Sequence, residues 1–219
     1  MIKETIWTQT MKCEEEPVLS LRLRRPEPVE DDRGARRIGR YYQRLGELWK
    51  ARWETVLYPR ACAALAQARE SSRPFQPWEA GLDYTVTLDG EGLVSLYLDS
   101  TEKGHGRPLT VRSAETWDWK TGTPCSLPQF LPKEFHHKRE LLSELASQAE
   151  DRLQEGESLF FEDVADRIQR HFSPARFYLV PGSLVIFYPM LSLGSAAEGI
   201  PTFSLPRPAP VSVESPEKS

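Results

Sequence analysis

Residues 177–206, FYLVPGSLVIFYPMLSLGSAAEGIPTFSLP, constrain this chain more than any other stretch, because they are the most apolar part of an otherwise polar sequence. They predict a hairpin of strands 177–180 and 184–188 turned by Pro181-Gly182-Ser183, then a short strand at 200–205. Val, Ile, Phe and Tyr suit a pleated surface, and Pro-Gly supplies one fixed and one permissive φ for a tight turn. Leu184-Val185-Ile186-Phe187 is apolar at every position, which predicts an inner strand covered on both faces. The rest of the chain reads as material packed onto this hairpin.

Two alternating runs open the chain. Within 5–12, Ile6, Thr8 and Thr10 oppose Trp7, Gln9 and Met11; within 18–23, Val18, Ser20 and Arg22 oppose Leu19, Leu21 and Leu23. They predict two strands around the acidic connection Glu14-Glu15-Glu16-Pro17. Pro26 and Pro28 are expected to end the second strand, since proline cannot donate to a ladder. Asp31 and Asp32 suit a helix start through capping and the helix dipole. From Ile38 to about Ala68, apolar residues recur at three- and four-residue steps (Ile38, Tyr41, Tyr42, Leu45, Leu48, Trp49, Trp53, Val56), the stripe of an amphipathic helix. Pro59 predicts a kink or break near Tyr58. The aromatic residues on that stripe read as core packing. Arg36, Arg37, Arg40, Arg44, Lys50 and Arg52 lie largely off it and read as a solvated face.

Residues 71–81 read as a proline-containing linker. Strands 83–88 and 93–98 form a second hairpin around Asp89-Gly90-Glu91-Gly92, with glycine where positive φ is needed. A loop at 100–107 carries Glu102, Lys103 and His105, and strand 109–116 follows, running on through Trp117 to a turn at Gly122. Residues 136–153 predict an amphipathic helix with Leu141, Leu142, Leu145, Ala149 and Leu153 on its apolar side, stopped by Gly156. Ser158 is placed as the cap of a shorter helix bearing Phe161, Val164, Ile168 and Phe172, ended by Ser173-Pro174. The tail after Leu205, PRPAPVSVESPEKS, is rich in Pro and Ser and reads as disordered. The expectation is therefore an α+β fold: antiparallel sheets built from hairpins, one long N-terminal helix and two C-terminal helices. One domain is expected over 1–206, with halves 1–75 and 76–206 and a tail at 207–219.

Charge and motif content narrow the function classes. The net charge of −4 gives no long-range pull on nucleic acid. No apolar run is long enough to span a membrane. The first residues carry Lys3, Glu4, Lys12, Glu14 and Glu15 and no apolar signal region, so the chain as numbered reads as cytoplasmic. Cys13, Cys62 and Cys125 are far apart in sequence, and an odd count cannot be fully paired within one chain. No GxSxG, GxxxxGK[ST], GxGxxG after a strand or HExxH is present. His136 and His137 are adjacent and do not make an i, i+4 zinc pair; His105 and His171 stand alone. Asp89-Gly-Glu-Gly lacks the alternate Asp/Asn and the closing Glu of a calcium loop. The acidic pairs at Asp31-Asp32 and Glu162-Asp163 sit where helix starts explain them. No catalytic, cofactor-binding or metal residue is assigned, and the chain reads as a non-enzyme without a cofactor.

Several pieces together carry a resemblance: Leu93-Val-Ser-Leu-Tyr-Leu98, Glu115-Thr-Trp-Asp-Trp-Lys-Thr-Gly122 with Ser126-Leu-Pro-Gln-Phe130 behind it, the Leu-rich helix, Phe177-Tyr-Leu-Val-Pro-Gly-Ser-Leu-Val-Ile-Phe187, and Gly199-Ile-Pro-Thr-Phe-Ser-Leu-Pro206. In this order the chain resembles the C-terminal domain of RsiV-type anti-sigma factors, the bacterial domain of unknown function 3298. The resemblance implies an α+β binding module, in relatives usually extracytoplasmic behind a membrane anchor, which in one branch senses lysozyme. It implies a protein partner or a wall-derived ligand, held by a surface around the loop 190–199 and the His105 loop. The alternative it implies is a cell-wall carbohydrate-active or accessory domain. The loop at 190–199 lacks the Pro-Tyr-Ala run of relatives, so no contact residues carry over.

Overall fold

The computed structural model describes residues 1–104 and 106–208. The chain opens with an antiparallel hairpin, β1 (Ile2–Cys13) and β2 (Glu16–Pro28). Its turn is held by Glu14 and Glu15, both at positive φ, the geometry a two-residue hairpin turn requires. β2 runs on through Pro26 and ends at Pro28, so the expected stop falls at the second proline only. The two prolines pair opposite Glu4 and Ile2. The parallel pairing of β2 on its other side stops at Leu23. Val29 N–H donates to the Met1 carbonyl (3.1 Å), so by alternation the two prolines turn their missing donors toward that unpaired side, where nothing is lost.

The long helix is divided into α1 (Arg33–Arg52), a π-helical turn (Trp53–Leu57) and α2 (Tyr58–Glu70). Asp32 caps α1 by accepting from Ala35 N–H (2.8 Å). The cause of the π turn is Pro59: it has no N–H for the Thr55 carbonyl, so the ladder slips and Tyr58 N–H reaches back to the Trp53 carbonyl. These helices carry the chain back to the start of β2. The next strand, β3 (Trp78–Gly90), therefore enters beside β2 in the same direction, Leu19 opposite Trp78 and Leu23 opposite Leu82. This parallel pair corrects the expectation of purely antiparallel sheets; a crossover containing helices is what parallel neighbours need. β3 also takes in 78–81 of the expected linker.

β4 (Leu93–Lys103) returns antiparallel through a turn at Glu91 and Gly92, and its last residues claim part of the expected 100–107 loop. β5 (Leu109–Asp118) and the two-residue β6 (Thr123–Pro124) complete a six-stranded sheet in sequence order. After a 3-10 turn at Lys133–Phe135 come α3 (Lys138–Gln154) and α4 (Val164–His171). Asp163, not Ser158, precedes α4; Ser158 lies too far upstream, where Phe160 bridges Gly194. A three-stranded sheet closes the fold: β7 (Phe177–Val180), β8 (Ser183–Phe187) and β9 (Thr202–Pro206), with β8 in the middle.

The layers follow from strand alternation. Leu19, Leu21, Leu23, Val94, Leu96 and Leu98 face α1 and α2 and pack with Ile38, Tyr42, Trp53 and Leu65. The opposite face of β4 and β5 carries Ser95, Tyr97, Ala114 and Thr116, and the small sheet sits on it. Leu184 and Ile186 of β8 point to α3 and α4 with Leu141, Leu145 and Ile168. Val185 and Phe187 point to the large sheet with Tyr178 and Ala114. A buried hydroxyl fastens the two sheets: Ser95 Oγ is 2.8 Å from Thr116 Oγ1 and accepts the Leu179 N–H at 2.8 Å. Satisfied buried hydrogen bonds of this kind contribute about 1 kcal/mol each, and leaving one partner unpaired costs more. Apolar material is thus divided between two helix-covered cores, so the C-terminal hairpin completes the fold rather than organising all of it. Of the expected tail, only Arg207 and Pro208 are described; Arg207 N–H donates to the Gly182 carbonyl (3.1 Å) and its guanidinium to Glu91 (2.6 Å).

Candidate functional site

The histidines do not converge. His136 Nε2 lies 3.1 Å from the Leu131 carbonyl, His137 sits at the cap of α3, and His171 ends α4. His105 lies outside the described residues. Among the described residues no group of His, Cys, Asp and Glu is arranged to hold a metal ion.

The loop at 190–199, one half of the surface expected to bind a partner, is occupied within the fold. Its Leu193 is fully buried. Phe161 N–H donates to the Leu193 carbonyl, Ser195 N–H to the Leu159 carbonyl, and Leu159 N–H to the Glu198 carboxylate. Next to the His105 loop lies a hollow of about 340 Å³ bounded by Arg22, Glu79, Asp83, Lys103 and Pro108. Its charges satisfy one another, Arg22 with Asp83 (3.9 Å) and Lys103 with Glu79 (3.5 Å). On the sheet face beneath the small sheet, Arg112 holds Asp99 with two bonds (2.8 and 2.7 Å) and stacks 3.7 Å from the Tyr97 ring centre. That assembly is half-buried and pins β4 to β5.

An open surface lies at the edge of β5 beside α1. Three contacts set α1 along this edge. Arg37 donates to the Thr121 carbonyl (3.2 Å), Tyr41 donates its hydroxyl to Glu115 (3.0 Å), and Arg52 grips Glu102 with two bonds (2.9 and 3.0 Å). Glu102 is the cross-strand partner of Leu109, so α1 runs antiparallel to β5. Arg37, Tyr41, Arg44, Leu48 and Arg52 recur at three- and four-residue steps and form one wall. The facing surface of β5 carries Leu109, Val111, Ser113 and Glu115. Between the anchor points, Leu48, Leu109 and Val111 are 62%, 53% and 61% exposed.

The backbone of β5 is open here as well. Outside it, β6 covers only Trp117 and Asp118, and Cys125 N–H donates to the Thr116 carbonyl (2.7 Å). Trp119 N–H donates inward, to Gly92 (2.8 Å). Alternation therefore turns the N–H and C=O groups of Thr110, Arg112 and Ala114 to the outer edge, where no strand pairs with them among the described residues. The other edge of the sheet, β1, is guarded by exposed Lys3, Glu4 and Lys12 and a register shift after Met11, the usual defences of an edge strand. The sequence predicts a strand at 109–116, but not that it stands at an edge of the sheet.

Charge in the groove is uneven. The ion pairs of α1 join Arg36 to Asp31, Lys50 to Glu47 and Arg52 to Glu102, which leaves Arg44 without one among the described residues. Glu115 is half-buried; burial raises its pKa, and the Tyr41 hydroxyl bond only partly opposes the rise. Burial and the nearby Glu115 charge together push Tyr41 upward. Below Tyr41, Trp117 donates its indole N–H to the Tyr42 hydroxyl (2.8 Å), and the Tyr41 and Trp117 rings meet edge to face at 5.0 Å.

Glu115 supplies a stability prediction. A carboxyl whose pKa is raised by folding destabilises the folded state wherever it is ionised, and the penalty vanishes below its unfolded pKa of about 4.3. Glu115→Gln keeps an acceptor for Tyr41 and removes the charge. We expect a higher Tm than wild type at neutral pH and a difference that closes as pH falls through the carboxylate range. A neutral-pH Tm below wild type would contradict this reading of the site.

No protein-family model matches the sequence, and no curated protein matches it. Solved structures do. A crystal structure of a DUF3298 family member from Bacteroides fragilis aligns with a TM-score of 0.61 at 10% identity, covering 94% of this chain and 90% of that one. A DUF3298 family protein from Pseudomonas aeruginosa aligns with a TM-score of 0.50 at 16% identity, covering 94% and 89%. At such identities the likeness speaks for the fold: over nearly its whole length, this chain has the architecture of the DUF3298 structures.

Proposed function

We propose that this chain is a non-enzymatic binding module that takes up an extended polypeptide segment as an added strand on the edge of β5. The observation that carries the reading is the set of outward main-chain groups at Thr110, Arg112 and Ala114 beside exposed Leu48, Leu109 and Val111. Strand addition draws affinity from main-chain bonds and specificity from alternate side chains. Here alternate positions of the guest would face α1, where apolar side chains would meet Leu48, Leu109 and Val111 and an acidic side chain among them would meet Arg44 and Arg37. The partner is thus a protein with an accessible, acidic and apolar extended segment. Within the RsiV-like resemblance, lysozyme is the sensor-branch candidate, and the module would serve wherever that partner is met. Among the described residues no helix is long and apolar enough to cross a membrane.

The test uses a blocked nine-residue peptide, Thr-Val-Thr-Glu-Thr-Val-Thr-Glu-Thr, in which valine and glutamate share one face of the strand, with a second peptide carrying lysine in place of glutamate. We expect saturable binding of the acidic peptide, with amide exchange slowed at Thr110, Arg112 and Ala114. Val111→Lys, at an exposed position that tolerates the change, should abolish it, and the lysine peptide should bind at least about tenfold more weakly. Equal binding by wild type and Val111→Lys, or protection elsewhere, would refute the edge as the site. Immobilised lysozyme run against the same two proteins tests the sensor-branch partner separately.

A further inference from the structure

Cys13 and Cys62 are distant in sequence, and the fold brings them together. Cys13 ends β1 between Lys12 and Glu14; Cys62 lies in α2. Tyr58, one turn before Cys62, donates its hydroxyl to the Lys12 carbonyl (2.7 Å). Arg69, two turns after Cys62, grips the Glu14 carboxylate at 2.6 Å. Positions 58, 62 and 69 share one face of a helix, so the contacts to Lys12 and Glu14 bracket Cys13 and place Cys62 over it. Both thiols pack against the same core, and the neighbouring Cys62, with burial, raises the Cys13 pKa. Both are free, partly exposed and packed at the margin of the N-terminal core. Cys125 belongs to the other core and serves as an internal control.

We propose that Cys13 and Cys62 are a disulfide-forming pair, oxidised by exchange with a small-molecule disulfide. One thiolate attacks a sulfur of the small disulfide, forms a mixed disulfide and expels one small thiolate. The second protein thiolate attacks the protein sulfur of that mixed disulfide and expels the other. The protein loses two protons and two electrons in all, and the small disulfide becomes two thiols. The bond fastens the end of the edge strand β1 to α2 and closes the chain from Cys13 to Cys62 into a loop, restricting the unfolded state. It does not depend on the β5 groove.

The full chain is incubated with oxidised glutathione at about pH 8.5, because the neighbouring Cys62 and, after it, burial raise the Cys13 pKa, and only the thiolate reacts. We expect the three titratable thiols to fall to one, a cross-linked Cys13–Cys62 peptide in the digest, a free Cys125, and Tm higher by about 5 °C or more. Cys62→Ser should stop at a glutathione adduct on Cys13 without the rise in Tm. Adducts that persist on both cysteines of the wild type, or a cross-link involving Cys125, would overturn the proposal.

Discussion

Ile186→Asp is expected to abolish the cooperative fold. Ile186 lies at the middle of β8, 1% exposed, opposite Phe177 on one side and Phe203 on the other. Its side chain enters the core beneath α3 and α4 with Leu141, Leu145 and Ile168. The buried residues of that core are apolar apart from Tyr188, whose hydroxyl is given to the Ile168 carbonyl (3.3 Å), so burying a carboxylate there ionised costs several kcal/mol, and burying it neutral leaves polar atoms to be paired. Removing the isoleucine adds the loss of its apolar contacts, about 2–5 kcal/mol for a truncation of this size. The sum is comparable with the whole stability of a typical domain. The damage should also reach the large sheet, since the small sheet covers Tyr97 and Ala114 and Leu179 N–H bonds Ser95. Ile186→Val, which keeps shape and polarity, should melt cooperatively at a slightly lower Tm. A cooperative near-wild-type melt for Ile186→Asp would show that β8 is not an inner strand. Persistent exchange protection of Val94, Leu96 and Leu98 in that variant would show that the two cores fold independently.

How much was legible in the sequence depended on how local the cause was. The β7–β8 hairpin, the Asp32 cap, the stop at Gly156 and the disturbance before Pro59 follow from residues within one turn of the event, and the structure has each of them. The parallel β2–β3 pairing is a long-range consequence of two helices reversing the chain, and no local pattern encodes it. β2 ends at Pro28 as expected, but it runs through Pro26, because proline is costly only where its N–H would be used, and that depends on which neighbour lies on which side. The site was least legible. The pattern at 109–116 predicts a strand without any sign that it is an edge strand, and its open edge comes from the shortness of β6, which pairs with only two of its residues. Cys13 and Cys62 looked unrelated because their meeting is made by Tyr58, Arg69 and the hairpin end together.

Two glycine-to-alanine changes in the same helix are expected to act with opposite signs. Gly34 lies in the first turn of α1, against the turn between β5 and β6. A Cβ there would fall well inside contact distance of the Trp119 carbonyl oxygen and 2.9 Å from that of Lys120. The obstacles are backbone, which cannot swing aside like the end of a side chain. The turn cannot retreat easily either, because Gly122, at φ +61°, packs its own Cα region against Gly34 and Arg37, and Asp118 holds Thr121 N–H at 2.7 Å. Gly34→Ala must therefore push α1 and the turn apart. Overpacking of this kind costs about 1–3 kcal/mol, or more where backbone must move, a loss of roughly 2–12 °C in Tm for a chain of this size. The same displacement carries Arg37 and Tyr41 away from Thr121 and Glu115, so peptide binding at the β5 edge should weaken as well. Gly39 lies further along α1, where an added Cβ would meet only Pro28 Cδ at 3.6 Å, an ordinary contact. Gly39→Ala removes a flexible residue from a helix interior and should stabilise the fold by about 0.5–1 kcal/mol, with binding unchanged. Equal effects from the two substitutions would mean that α1 does not press its first turn against the β5–β6 turn, and the wall of the groove would have to be placed elsewhere.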